Sequence, residues 1–132
     1  LSPRLKTTFI VKHISPPIEQ VHPRGWNTQT SHQRKLRSYQ VEANFYRDYT
    51  SLCDDNCVVP TMLAEFSDKQ QQILVLQDLD QAGFSLRKDQ AVMPDVKLGI
   101  QWLAYFHARC IQQDSHDLWP IGTYCDLDTR QN

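Results

Sequence analysis

The residues with chemical reach in this chain are a lysine on an apolar strand, a glutamate on a helix face, scattered cysteines and a late pair of aspartates. Lys12 lies in Thr7 to Ile14 (TTFIVKHI), whose β-branched and aromatic content favours a strand. Alternation puts Ile10, Lys12 and Ile14 on one face and Phe9, Val11 and His13 on the other. Lys12 is therefore either a surface cation beside two isoleucines or a cation lining a cleft. Glu42 shares a helical stripe with Tyr39 and Tyr46, next to a second stripe of Val41, Phe45 and Tyr49. A carboxylate among aromatics needs a partner wherever it is buried.

The other candidates are weaker. Cys53 and Cys57 bracket CDDNC, a spacing loosely compatible with zinc, but the later ligands His107, Cys110 and Cys125 lack a paired spacing. Reduced thiols are expected instead. Asp126 and Asp128 have the spacing of a magnesium pair without the preceding apolar strand that would aim both carboxylates at a phosphate. His107, beside leucines and without a nearby carboxylate or nucleophile, reads as a hydrogen-bonded core histidine. Arg34, Lys35 and Arg37 sit unfavourably near a helix N-terminus, and with no aromatic platform they read as a solvated face. The sequence shows no Gly-rich phosphate loop, no Ser/His/Asp constellation and no internal repeat.

The elements that must position these groups follow from pattern. Pro16, Pro17, Pro23 and Gly25 make Ser15 to Thr30 a loop. Ser31 is a plausible cap for a helix reaching about Leu52. Thr61 to Phe66 and Ile73 to Leu76 are strands around the polar turn Ser67 to Gln72, expected to pair antiparallel with Thr7 to Ile14 in the same sheet. Gln77-Asp78-Leu79 is a linker, Gln81-Ala82-Gly83 a turn, and Phe84 to Asp89 irregular chain. Pro94, followed by Asp95, opens a second helix that runs to about Gln113. Its Val96, Ile100, Leu103 and His107 share a stripe, and Trp102, Tyr105 and Phe106 spread apolar surface around further sides. That predicts an exposed patch larger than the few hundred Å² usual for a monomer, or its burial against a second copy, as a homodimer, or another chain.

Composition narrows the class. At 132 residues the chain is about one domain, with ordinary hydrophobic (40%) and charged (22%) fractions, which favours a soluble globular protein over a disordered or membrane class. A net charge of −1 argues against a nucleic-acid binder. No apolar run approaches the ~20 residues of a membrane span, and no signal peptide is present, so a cytoplasmic location is expected. The chain begins at Leu1 rather than methionine, with a strand starting within ten residues, which suggests that its beginning is missing.

Four motifs in order then carry a resemblance: Ile10-Val11-Lys12, Val41-Glu42-Ala43-Asn44-Phe45-Tyr46, Ile73 to Leu79 (ILVLQDL) and Leu103 to Ala108 (LAYFHA). Together they resemble the small lobe and first large-lobe helix of the choline-kinase-like and aminoglycoside-phosphotransferase-like superfamily, nearest its ecdysteroid-kinase-like branch. The resemblance implies an α+β, protein-kinase-like fold. Residues 1–76 would form a partial nucleotide-binding lobe, 77–80 a hinge linker, and 81–132 the start of a substrate and catalytic lobe. The implied activity is ATP-dependent phosphoryl transfer to a hydroxyl of a small molecule, with Mg2+ as second cofactor. In such kinases the strand lysine holds the α/β-phosphates and is oriented by the helix glutamate. Those roles fall here to Lys12 and Glu42, expected as an ion pair within about 4 Å. Adenine would meet backbone groups of Gln77, Asp78 and Leu79.

The sequence departs from this family by carrying Gln77 where glutamate is usual. The nucleotide-covering loop would precede Leu1, and the catalytic and metal-binding aspartates would follow Asn132, so no catalytic or metal ligand is assigned within these residues and they are expected to be inactive alone. The competing reading is a non-catalytic binding or interaction module; a metal-dependent hydrolase using Asp126 and Asp128 is a third.

Overall fold

The computed structural model describes residues 7–15, 29–68, 71–115 and 117–120. Cys125, Asp126 and Asp128, most of the loop between Ser15 and Thr30, and part of the Ser67 to Gln72 turn lie outside them. The described chain is α+β: strand β1 (Phe9–Ile14), helix α1 (Gln29–Asn44), strands β2 (Met62–Ser67) and β3 (Gln72–Gln77), and helix α2 (Met93–Cys110).

The strands form one antiparallel sheet in the order β1-β3-β2. The apolar run of β3 takes the centre because only a central strand satisfies the backbone on both sides of residues that solvate poorly. Lys12 stands opposite Leu74 on one side, and Glu65 stands opposite Leu74 on the other. β3 exceeds the expected Ile73 to Leu76 by a glutamine at each end. Both are recruited by pairing, Gln72 with Ile14 and Ser67, and Gln77 with Phe9. Gln77 is thus a strand residue, and the linker starts at Asp78. A register shift between Met62 and Ala64 marks a bulge in β2.

α1 lies over one face of the sheet. Ala43, Leu74 and Leu76 are buried together, and Tyr46 and Met62 pack against them. Ala43 fits because a residue without a side chain beyond Cβ lets helix and sheet approach closely. Phe9 and Val11, on the opposite face, remain half exposed. α1 starts at Gln29, so Ser31 lies inside the helix rather than capping it. Its far end changes pitch: it widens into a π-turn over Phe45–Tyr49, then tightens into a 3-10 turn over Thr50–Leu52. The Thr50 hydroxyl donates to the Tyr46 carbonyl at 2.8 Å, a side-chain bond of the kind that competes with the regular ladder. The widened turn leaves the Phe45 and Tyr49 rings parallel, 6.5 Å apart.

α2 opens where Pro94 tolerates a missing donor, and the Asp95 carboxylate accepts the Val92 N–H at 3.1 Å. It ends at Cys110, earlier than the expected Gln113, because Ile111 is extended and Gln112 adopts a left-handed φ of 66°. One stripe docks on the preceding chain. Trp102 stacks on Phe106 at 5.2 Å, Phe106 meets Phe45 at 5.9 Å, and the Trp102 indole N–H donates to the Val58 carbonyl at 3.1 Å. Val96, Leu98, Ile100, Leu103 and Tyr105 are exposed. His107 is exposed as well, correcting the core assignment: the docking stripe runs through Trp102 and Phe106, and His107 is turned one step away from it.

Candidate functional site

Lys12 reaches the helix from the middle of β1. Strand alternation aims it at the α1 side of the sheet, between Ile10 and Ile14, with Leu74 opposite. Glu42 reaches the same point from α1, one residue before the buried Ala43 that fixes the helix against the sheet. The Lys12 ammonium lies 2.7 Å from Glu42 Oε1 and 2.5 Å from Oε2. Both side chains are partly exposed, 40% and 30%. An ammonium has three N–H donors and no acceptor. With Glu42 taking at most two of them, at least one is left for another anion at the solvent-facing edge.

Two tyrosines frame this pair. The Lys12 ammonium stands 5.9 Å from the centroid of the Tyr39 ring, within the range of a cation–π attraction. Burial pushes the Tyr46 hydroxyl above its ordinary titration range, and the Glu42 carboxylate adds to the shift while the Lys12 cation opposes it. The signs place Tyr46 within the field of both members of the pair. Tyr39, Glu42 and Tyr46 share one helical stripe, but that pattern alone assigns Tyr39 no role. The available signal was its spacing of three residues from Glu42, which stacks two side chains on adjacent turns.

The linker is tied to the strand that carries Lys12. The Thr8 hydroxyl donates to Asp78 Oδ2 at 2.5 Å, and Asp78 Oδ1 accepts the Asp80 N–H at 3.0 Å. Asp80 in turn pairs with Arg87 at 2.7 Å, and this bond, followed by the Asp80 and Asp78 charges, holds Arg87 above its ordinary range. Gln77 is stapled to Thr61 twice: its N–H donates to the Thr61 carbonyl at 2.8 Å, and its side-chain carbonyl accepts the Thr61 N–H at 3.3 Å. The Asp78 carbonyl accepts from Ala82 and the Leu79 carbonyl from Ala82 and Phe84. Gly83, at φ 97°, supplies the left-handed residue that closes this turn. The side chain of Gln77 is thus occupied structurally.

A second cluster lies at the seam between the 53–58 segment and α2. The Asp54 carboxylate accepts the Asn56 N–H at 3.0 Å and pairs with Arg109 of α2. These bonds, the Asn56 N–H first, hold its carboxyl below the usual range. Cys53, Cys57 and Cys110 are free thiols at the same seam. Burial first, then the neighbouring Cys57, pushes Cys53 up to about 11 and raises Cys110. Thiols held protonated in this way are poor nucleophiles. Among the described residues no group of three or more His, Cys, Asp or Glu side chains is arranged to hold a metal ion.

No helix of the described residues is long and apolar enough to cross a membrane. No family model, curated protein or solved structure matches this chain.

Proposed function

We propose that this chain carries the nucleotide-binding part of an ATP-dependent phosphotransferase acting on a hydroxyl of a small molecule, with the sheet and α1 as a protein-kinase-like small lobe and α2 as the first large-lobe helix. The observation that carries the reading is the two-oxygen Lys12–Glu42 pair between a strand and the helix packed on it. A flexible lysine on four methylenes contributes to a phosphate site only if its head is fixed beforehand. Glu42 supplies that restraint, and the remaining ammonium proton is free to donate to an α/β-phosphate oxygen. Support also comes from the linker beyond β3, whose tie to Thr8 keeps a hinge-like segment beside the lysine strand. With the Asp78 and Leu79 carbonyls already engaged, adenine recognition there would use backbone N–H donors. Magnesium, when bound beside ATP, would neutralise phosphate charge. The site is read as cytoplasmic and independent of nucleic acid.

Calorimetric titration with ATP, ADP and adenosine tests the proposal. ATP and ADP are expected to bind, and Lys12→Met to weaken both by roughly tenfold or more, the worth of a charge-assisted hydrogen bond, while adenosine is held equally. Absence of adenine-nucleotide binding, or an unchanged ATP affinity in the variant, refutes the assignment.

An interaction module is the second reading. It is favoured by the half-exposed Phe9, Val11 and Phe66 on the sheet and the exposed Val96, Ile100 and Leu103 on α2. Pull-down or sedimentation showing a specific partner, together with no nucleotide affinity, would select it.

A further inference from the structure

We infer that Tyr39 is a positioning residue for Lys12: its ring and the Glu42 carboxylate together fix the ammonium in the orientation that receives a phosphate. This deepens the nucleotide reading and rests on it for the identity of the ligand, although the positioning itself does not.

The geometry gives the reason. Glu42 by itself pulls Lys12 toward α1, and a half-exposed ion pair of this kind is worth little and is readily exchanged for water. The Tyr39 ring, 5.9 Å from the ammonium, adds a second attraction from a different residue of the same helix, one turn before Glu42. The ring adds a restraint from a second direction to the two carboxylate oxygens of Glu42. The ring face also competes poorly with phosphate, because its quadrupole attracts a cation without occupying a hydrogen-bond donor. The ammonium can therefore stay on Tyr39 and donate to an oxyanion at once, which a second carboxylate would prevent. Tyr46, on the other side of Glu42, packs into the core with Ala43, Leu74 and Leu76, so it holds the helix rather than the cation.

The distinguishing experiment compares Tyr39→Phe, which keeps the ring, with Tyr39→Leu, which removes it at similar bulk. In the nucleotide-free protein, nitrogen-resolved NMR should find the Lys12 ammonium protons protected from solvent exchange in wild type and Tyr39→Phe and less protected in Tyr39→Leu. In titrations, Tyr39→Leu should weaken ATP and ADP by about two- to fivefold and leave adenosine unchanged, with Tyr39→Phe at wild-type affinity. In a Lys12→Met background the Tyr39→Leu change should have no further effect. Loss of adenosine binding alongside ATP would mean that Tyr39 merely supports the fold, and overturns the inference. Equal ammonium exchange in all three proteins overturns it too. Altered exchange in Tyr39→Leu without nucleotide binding by any variant would uphold Tyr39 as the positioning group and remove the phosphotransferase reading alone.

Discussion

The two halves of this molecule hold their helices by different means. α1 is held by an apolar core in which Leu74 and Ala43 are almost wholly buried against a sheet whose central strand is paired on both sides. α2 has no buried residue. It is fastened by an aromatic stack, one indole hydrogen bond and the Arg109–Asp54 pair, and most of its apolar surface faces outward. A preorganised charged pair needs the first kind of support. Lys12 and Glu42 stand on the rigid half, so their geometry follows from packing rather than from their own modest attraction. The α2 seam lacks that rigidity, and its ion pair fastens the helix rather than forming a site.

Removing the core residue that unites the strong half should have the largest effect. Leu74→Ala, at the crossing of β1, β2 and α1, is expected to cost about 2–5 kcal/mol in chemical denaturation, and a loss under ~1 kcal/mol would mean that the halves are not so different. Trp102→Ala should cost about 2 kcal/mol, less than a fully buried tryptophan because this one is only partly buried. Its signature is local: amide exchange should rise along α2 while β1 and β3 stay protected. A uniform rise would show that both helices belong to one cooperative unit.

At the seam, alkylation of Cys53 by iodoacetamide at pH 8 should run about tenfold slower than for a free cysteine, its rate climbing as pH rises toward 11. The sign is fixed by the raised value: the folded protein holds this proton where the unfolded chain, titrating near 9.0, has lost it. The associated stability is present below about pH 9 and drains as pH rises toward 11. Fast labelling at pH 8 would mean that the seam is open. The smallest change in stability is expected for Lys12→Met, under ~1 kcal/mol by thermal denaturation, even as nucleotide affinity falls. A large loss would recast the pair as a structural strut.

How much of this was legible in the sequence depends on the range of the forces involved. Lys12 and Glu42 could be matched because period-two alternation in TTFIVKHI and a four-residue stripe around Val41 and Phe45 are local patterns that fix which face each side chain occupies. The antiparallel hairpin was legible for the same reason: an apolar run of four next to a polar turn needs backbone partners on both sides. The widening of α1 at Phe45 was not, since Val41, Phe45 and Tyr49 keep regular four-residue helical spacing straight through it. His107 was misplaced because the helix carries apolar residues around more than one side, so periodicity cannot choose the docking stripe; the meeting of Trp102 and Phe106 with Phe45 and Val58 chooses it. Local pattern carries the presence of the strands and helices, the strand face of Lys12 and the helix face of Glu42. That Tyr39 faces the ammonium and that Gln77 is spent on Thr61 depends on register and docking between residues far apart in the chain, which no local pattern encodes.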